Sequence, residues 1–151
     1  MYRSSKTYGH EIGLSCAFRQ WRAESHCRFI HGYALSIRLE FEADELDHHN
    51  WVIDFGGLKS FKQHLVDMFD HKLLVAEDDP QIDILCQLAG FDLAEVVVVE
   101  ATGCEAFAKF VWEEAEIWLV ENMHAPRVRL HSVEVAEHGA NSAIYVGDVA
   151  P

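Results

Sequence analysis

Three short stretches carry residue types that do chemistry. In "SHCRFIHGY" (residues 25–33), Cys27 stands four residues before His31, and Gly32 follows the histidine. The thiolate is the reactive and metal-binding form of cysteine, so this spacing reads as the start of a nucleophile or metal site. In "FDHKLL", Asp70 adjoins His71, and such an acid can orient an imidazole and stabilise its charged form. "SVEVAEHG" offers two carboxylates, Glu134 and Glu137, that strand parity puts on opposite faces.

The stretch around Cys27 also holds Arg19, Arg22 and Arg28 in a chain whose formal net charge is −13. Cationic neighbours such as Arg22, Arg28 and His26 would favour a Cys27 thiolate. The three arginines can also serve an anionic phosphate, which the global charge would otherwise repel, or form a basic loop paired with acidic neighbours in an oligomer.

These groups need elements to position them. "LSCAFRQW" alternates, with Leu14, Cys16 and Phe18 on one face, and "HGYALSIRLEFEA" does the same with Tyr33, Leu35, Ile37, Leu39 and Phe41. They read as antiparallel neighbours joined by the loop that carries Cys27. Asp54 caps a helix with Leu58, Phe61, Leu65 and Met68 on one stripe. A Gly/Asp/Pro-containing connection (residues 75–94) leads to "EVVVVE", a short buried strand. Thr102 and Glu105 form a capping box for a second helix, with Phe107, Phe110, Val111 and Trp118 as its apolar stripe. "RVRLHSVEVAEH" and "SAIYVGDV" close the chain as strands. The fold class is α+β, with helices on one face of a mainly antiparallel sheet, in a single domain over residues 1–151.

Length and composition agree: 151 residues, half of them apolar and a quarter charged, suit one soluble domain with a real core. The acidic balance argues against a general nucleic-acid binder, which needs a basic face. No apolar run reaches the ~20 residues of a membrane-spanning helix, and the start lacks a signal peptide's apolar core, so a cytoplasmic protein without a membrane partner is expected. Cys16, Cys27, Cys86 and Cys104 show no C-x-x-C spacing and read as free thiols.

Taken in order, "CRFIHGYAL", "WVIDFGGLK", "FDHKLL", "TGCEAFAKFVWE" and "VEVAEHGANSAIYV" resemble the 6-pyruvoyl tetrahydropterin synthase family. That family includes the bacterial 6-carboxytetrahydropterin synthases of queuosine biosynthesis. The resemblance implies a tunnelling fold, a four-stranded antiparallel sheet with two helices on its outer face, closing edge to edge into a homo-oligomeric barrel (trimer or hexamer). Such closure would remove open sheet edges.

The resemblance further implies a lyase acting on 7,8-dihydroneopterin triphosphate or a related dihydropterin. Cys27 would be the catalytic base, Asp70 and His71 a proton relay, and Glu137 the carboxylate that anchors the pterin, with Glu134 as its competitor. The family's zinc is held by three histidines, and His31 matches one of them. Tyr33 stands at a second ligand position, and Phe18 or Cys16, depending on register, at the third. Catalytic zinc ordinarily needs three protein ligands, so zinc is doubtful unless Cys16, His26 or His10 completes the set. A second reading is a non-catalytic pterin- or nucleotide-binding oligomer that has lost the metal.

Overall fold

The computed structural model describes residues 1–147; Asp148 and Val149, the end of the last expected strand, lie outside them. The elements are β1 (Tyr2–Tyr8), β2 (Leu14–Phe18), β3 (His31–Ala43), α1 (Lys59–Phe69), β4 (Lys72–Ala76), α2 (Ile82–Gly90), β5 (Glu95–Val99), α3 (Cys104–Glu121), β6 (Arg129–His138) and β7 (Asn141–Tyr145). They form one seven-stranded sheet in the order β5-β4-β2-β3-β6-β7, with β1 pairing β3 beyond β2. Long β3 is the organiser: its first half pairs β2, its second half pairs β1, and its other edge pairs β6, all antiparallel.

The expected four-stranded sheet with two helices is therefore corrected. A parallel pair, β4 and β5, extends the sheet from β2, and a third helix, α2, accompanies it. Parity shows why. Leu74, Val97 and Val99 join the main core with Phe61, Leu65, Phe107 and Val111, whereas Leu73, Val75 and Val96 pack with Ala17, Leu85 and Leu88 on the opposite face. Parallel strands covered on both faces read as continuous apolar runs, which hides their alternation. The helices thus lie on two faces of the sheet rather than one. β5 is an edge strand, and its Val98 is 49% exposed rather than buried.

Both expected helical stripes are in the core: Leu58, Phe61, Leu65 and Met68 are buried, as are Phe107, Val111 and Trp118, with Phe110 partly so. Each large apolar side chain buried there contributes about 1.5–3 kcal/mol. Asp54 does cap, but it caps a 3-10 turn (Phe55–Leu58) that leads into α1, by accepting from the Gly56 N–H at 2.8 Å. The Thr102/Glu105 capping box does not form. Gly103 is the N-cap, at φ 113°, and the Thr102 hydroxyl donates to the Arg19 carbonyl at 2.6 Å. That bond ties the start of α3 to the end of β2.

Candidate functional site

Register sets the centre of the site. Cys16 lies opposite Tyr33 and Phe18 opposite His31 on the β2–β3 pair. Gly32 sits between them because a Cβ there would come within 2.5 Å of the Cys16 carbonyl oxygen. The Cys27 loop folds back through a bond from the Gln20 N–H to the Cys27 carbonyl, 3.0 Å. Glu137 is the extra residue of a β-bulge between Ala136 and His138, a device that re-aims a side chain. The bulge directs it to the start of α3, where its carboxylate opposes ionisation of the Cys104 thiol.

Cys27, Tyr33, Cys104 and Glu137 therefore share one locality. Burial first, then negative charge at Glu137, Cys27 and Cys104, raises the Tyr33 phenol above its usual value. Burial, then the charges of Glu137 and Glu105, pushes Cys104 up to about 12. Burial, then Cys104, does the same to Cys16. Both inner thiols are held neutral at physiological pH. Glu134 is on the opposite face, accepting from the Ser142 hydroxyl at 2.7 Å, which separates it from Glu137.

Asp70 and His71 come together, but with each other only. The Asp70 carboxylate accepts from His71 Nδ1 at 2.7 Å, and the His71 side chain is 85% exposed. His71 has φ 57° and its N–H donates to the Ser15 carbonyl, so the pair sits at the turn between α1 and β4. Among the described residues neither makes a hydrogen bond to Cys27, Tyr33 or Glu137.

The arginines are largely committed within the chain. Arg19 grips buried Asp79 with two 2.7 Å bonds. Arg22 bonds Asp78 at 2.9 Å, and Arg28 bonds the Glu24 and Ser25 carbonyls and lies over the Phe29 ring. Arg19 and Arg22 do pair with acidic residues, but within the chain rather than across an oligomer. Sequence spacing could not have found Asp79, sixty residues from Arg19.

The surroundings of His31 test whether the family's zinc fits. Its Nδ1 is bonded to the Phe29 carbonyl at 2.7 Å, which leaves Nε2 as the ligand atom. The rings around it are Phe18 at 5.1 Å and Tyr33 at 5.4 Å, and Phe18 is fully buried with its edge against Phe107. His10 Nδ1 is taken by the Ala34 carbonyl, and His26 is exposed. Cys16 is buried opposite Tyr33, and it is Phe18 that faces His31 across the strand pair. Among the described residues, no three ligand groups gather at His31. These residues do not fit a three-ligand zinc.

A mixed sheet organised on one long strand with antiparallel neighbours, with a carboxylate and a cysteine meeting at one end, is the arrangement to compare. The 6-pyruvoyl tetrahydropterin synthase family model matches residues 9–148, and the chain belongs to that family. It is 23% identical over 147 residues to the 6-carboxy-5,6,7,8-tetrahydropterin synthase of Aquifex aeolicus (strain VF5), covering 96% of this chain and 88% of the relative. An uncharacterized protein from Wolinella succinogenes has the same fold, with a TM-score of 0.81 at 20% identity, covering 97% of this chain and 98% of that one. A catalytic-residue mutant of Plasmodium vivax 6-pyruvoyltetrahydropterin synthase aligns with a TM-score of 0.64 at 15% identity, covering 99% and 100% of the two chains. No helix among the described residues is long and apolar enough to cross a membrane.

Proposed function

We propose that the protein is a pterin synthase-like enzyme that binds a reduced pterin, 7,8-dihydroneopterin triphosphate or a related dihydropterin, and acts on its side chain. The convergence of Glu137, Tyr33 and Cys27 carries this reading. Glu137 accepts from the adjacent N–H donors of the pterin ring, which a carboxylate reads with both oxygens. Cys27 removes a proton from the side-chain carbon, and loss of triphosphate follows. Tyr33, held protonated, supplies a neutral hydrogen-bond donor for a side-chain oxygen. The proton relay is assigned to Asp70 and His71 on the family resemblance alone, since among the described residues they make no hydrogen bond to that cluster, and no step is assigned to zinc. The name of the Aquifex relative, a tetrahydropterin synthase, supports the pterin part of this reading.

A second reading is favoured by the aromatic packing of Phe18 and Tyr33 on His31: an oligomer that binds the pterin without converting it. One experiment separates the two. Dihydroneopterin triphosphate is titrated into wild type, Cys27→Ala and Glu137→Gln, and inorganic triphosphate release is followed alongside. The enzyme reading expects Cys27→Ala to keep affinity and to lose turnover by about 10²–10⁴-fold, the usual worth of a positioned base. Glu137→Gln should weaken binding itself. Tight binding without triphosphate release would leave the binder. No binding to wild type would remove both readings.

A further inference from the structure

A different cluster gathers metal-ligating side chains. Nδ1 or Nε2 of His48 and His49 and a carboxylate oxygen of Asp47 all lie within 4.8 Å of one another, and no other such trio occurs among the described residues. The three are consecutive in the turn between β3 and the Asp54-capped helix. Consecutive side chains usually diverge, so their convergence depends on the backbone. Asp47 Oδ1 accepts from the His49 and Trp51 N–H groups at 2.8 and 3.0 Å, which leaves its second oxygen out of these two bonds. Asn50 takes the left-handed conformation at φ 65°, and the Asp47 N–H donates to the Trp51 carbonyl. Arg127 fastens both ends, donating to the Glu45 and Val52 carbonyls at 3.1 and 2.8 Å.

The rings are held as well as the backbone. His49 stacks on Trp51, with centroids 4.7 Å apart and planes at 21°, and the His48 ring centroid is 3.8 Å from that of His49. Two imidazoles and one carboxylate, all reachable from solvent, make a three-ligand face with open positions for water. That donor set suits borderline divalent transition ions over magnesium or calcium, which prefer all-oxygen sites. We infer that the Asp47–His48–His49 turn is a surface binding site for a zinc-class divalent transition ion, separate from the Glu137 locality and independent of the pterin reading.

The test is a calorimetric titration of Zn(II) into untagged, chelator-stripped wild type, His48→Ala, His49→Ala and His31→Ala. Wild type should bind one equivalent. The His48 and His49 variants should each lose about 10–100-fold in affinity, at least the cost of disturbing groups that merely orient metal ligands. His31→Ala should bind as wild type does. Ni(II) gives a readout that needs no ligand variant: it should quench the fluorescence of Trp51, so the quenched fraction should disappear in Trp51→Phe. Absence of a Zn(II) equivalent would overturn the inference. So would an equivalent lost in His31→Ala and kept in both turn variants, which would place the ion at the β2–β3 pair instead.

Discussion

The pair Arg19–Asp79 shows what a single residue contributes here and what strand parity cannot reveal. The family resemblance marked Cys27 and Glu137 as site residues, and parity served only to set Glu137 on the face of Val133 and Val135, away from Glu134; Cys27 lies on a 3-10 turn, where no strand alternation applies. Nothing local announces Asp79. Its side chain is almost wholly buried, and the Arg19 guanidinium and the Gln81 N–H hold its carboxyl below the usual carboxylate range. Asp79→Asn should cost roughly 2–3 kcal/mol, less than a fully buried pair because Arg19 keeps 23% of its side chain in water. The sign in pH follows from the lowered folded value. The contribution is fully present above the unfolded pKa of about 3.9 and is lost as pH falls through the folded pKa. Urea unfolding at neutral pH and near pH 3 should therefore show wild type and Asp79→Asn converging in acid. An equal gap at both pH values would mean that the pair's ionisation does not carry its stability. The same commitment bears on function: Arg19→Glu should lower stability before it lowers affinity for a triphosphate.

At the scale of elements, the close approach of β2 to β3 has the sharpest consequence. The Cβ of an alanine at position 32 would stand 2.5 Å from the Cys16 carbonyl oxygen, which is backbone and cannot swing away. Gly32→Ala should push the strands apart and cost about 1–3 kcal/mol, as other overpacked sites do. For a chain of this size, that is a fall in Tm of about 2–12 °C. Gly90, at the end of α2 with open space about its Cα, is the control. Gly90→Ala should leave Tm unchanged or raise it, since alanine is favoured over glycine in helices by about 0.5–1 kcal/mol. A tolerated Gly32→Ala in thermal melts would mean that the His31 and Tyr33 positions do not depend on this contact. The elements legible in the sequence were those with one buried face: β2, β3, α1, α3 and β6 all show their period. β4 escaped because packing on both faces removes the alternation, and α2 because its nine residues lie inside an acidic, Pro-containing connection; β5 was read from its valine run, but not its parallel pairing or its exposed edge. β1 escaped because only Tyr8 of its seven residues is buried, so it carries little apolar signal.

For the whole molecule, shape and charge oppose each other. Among the described residues β5 and β7 end the sheet and β1 pairs only β3, so their edges present unpaired backbone. Such edges favour pairing with further copies, which is how an edge-to-edge barrel of three or six chains would form. Yet each copy brings a formal net charge of −13, and several copies held close repel one another. Salt weakens that repulsion, since the Debye length falls from about 30 Å at 0.01 M to about 8 Å at 0.15 M. Backbone pairing and apolar contact are far less sensitive to salt. If the edges close as the family resemblance implies, the oligomer should be a trimer or a multiple of it, and the assembled fraction should rise with ionic strength. Light scattering across about 0.01–0.15 M salt reads this directly. A monomer at every salt concentration would sink edge pairing, and an oligomer that dissociates as salt rises would mean that attractive ion pairs, rather than sheet edges, hold the copies together.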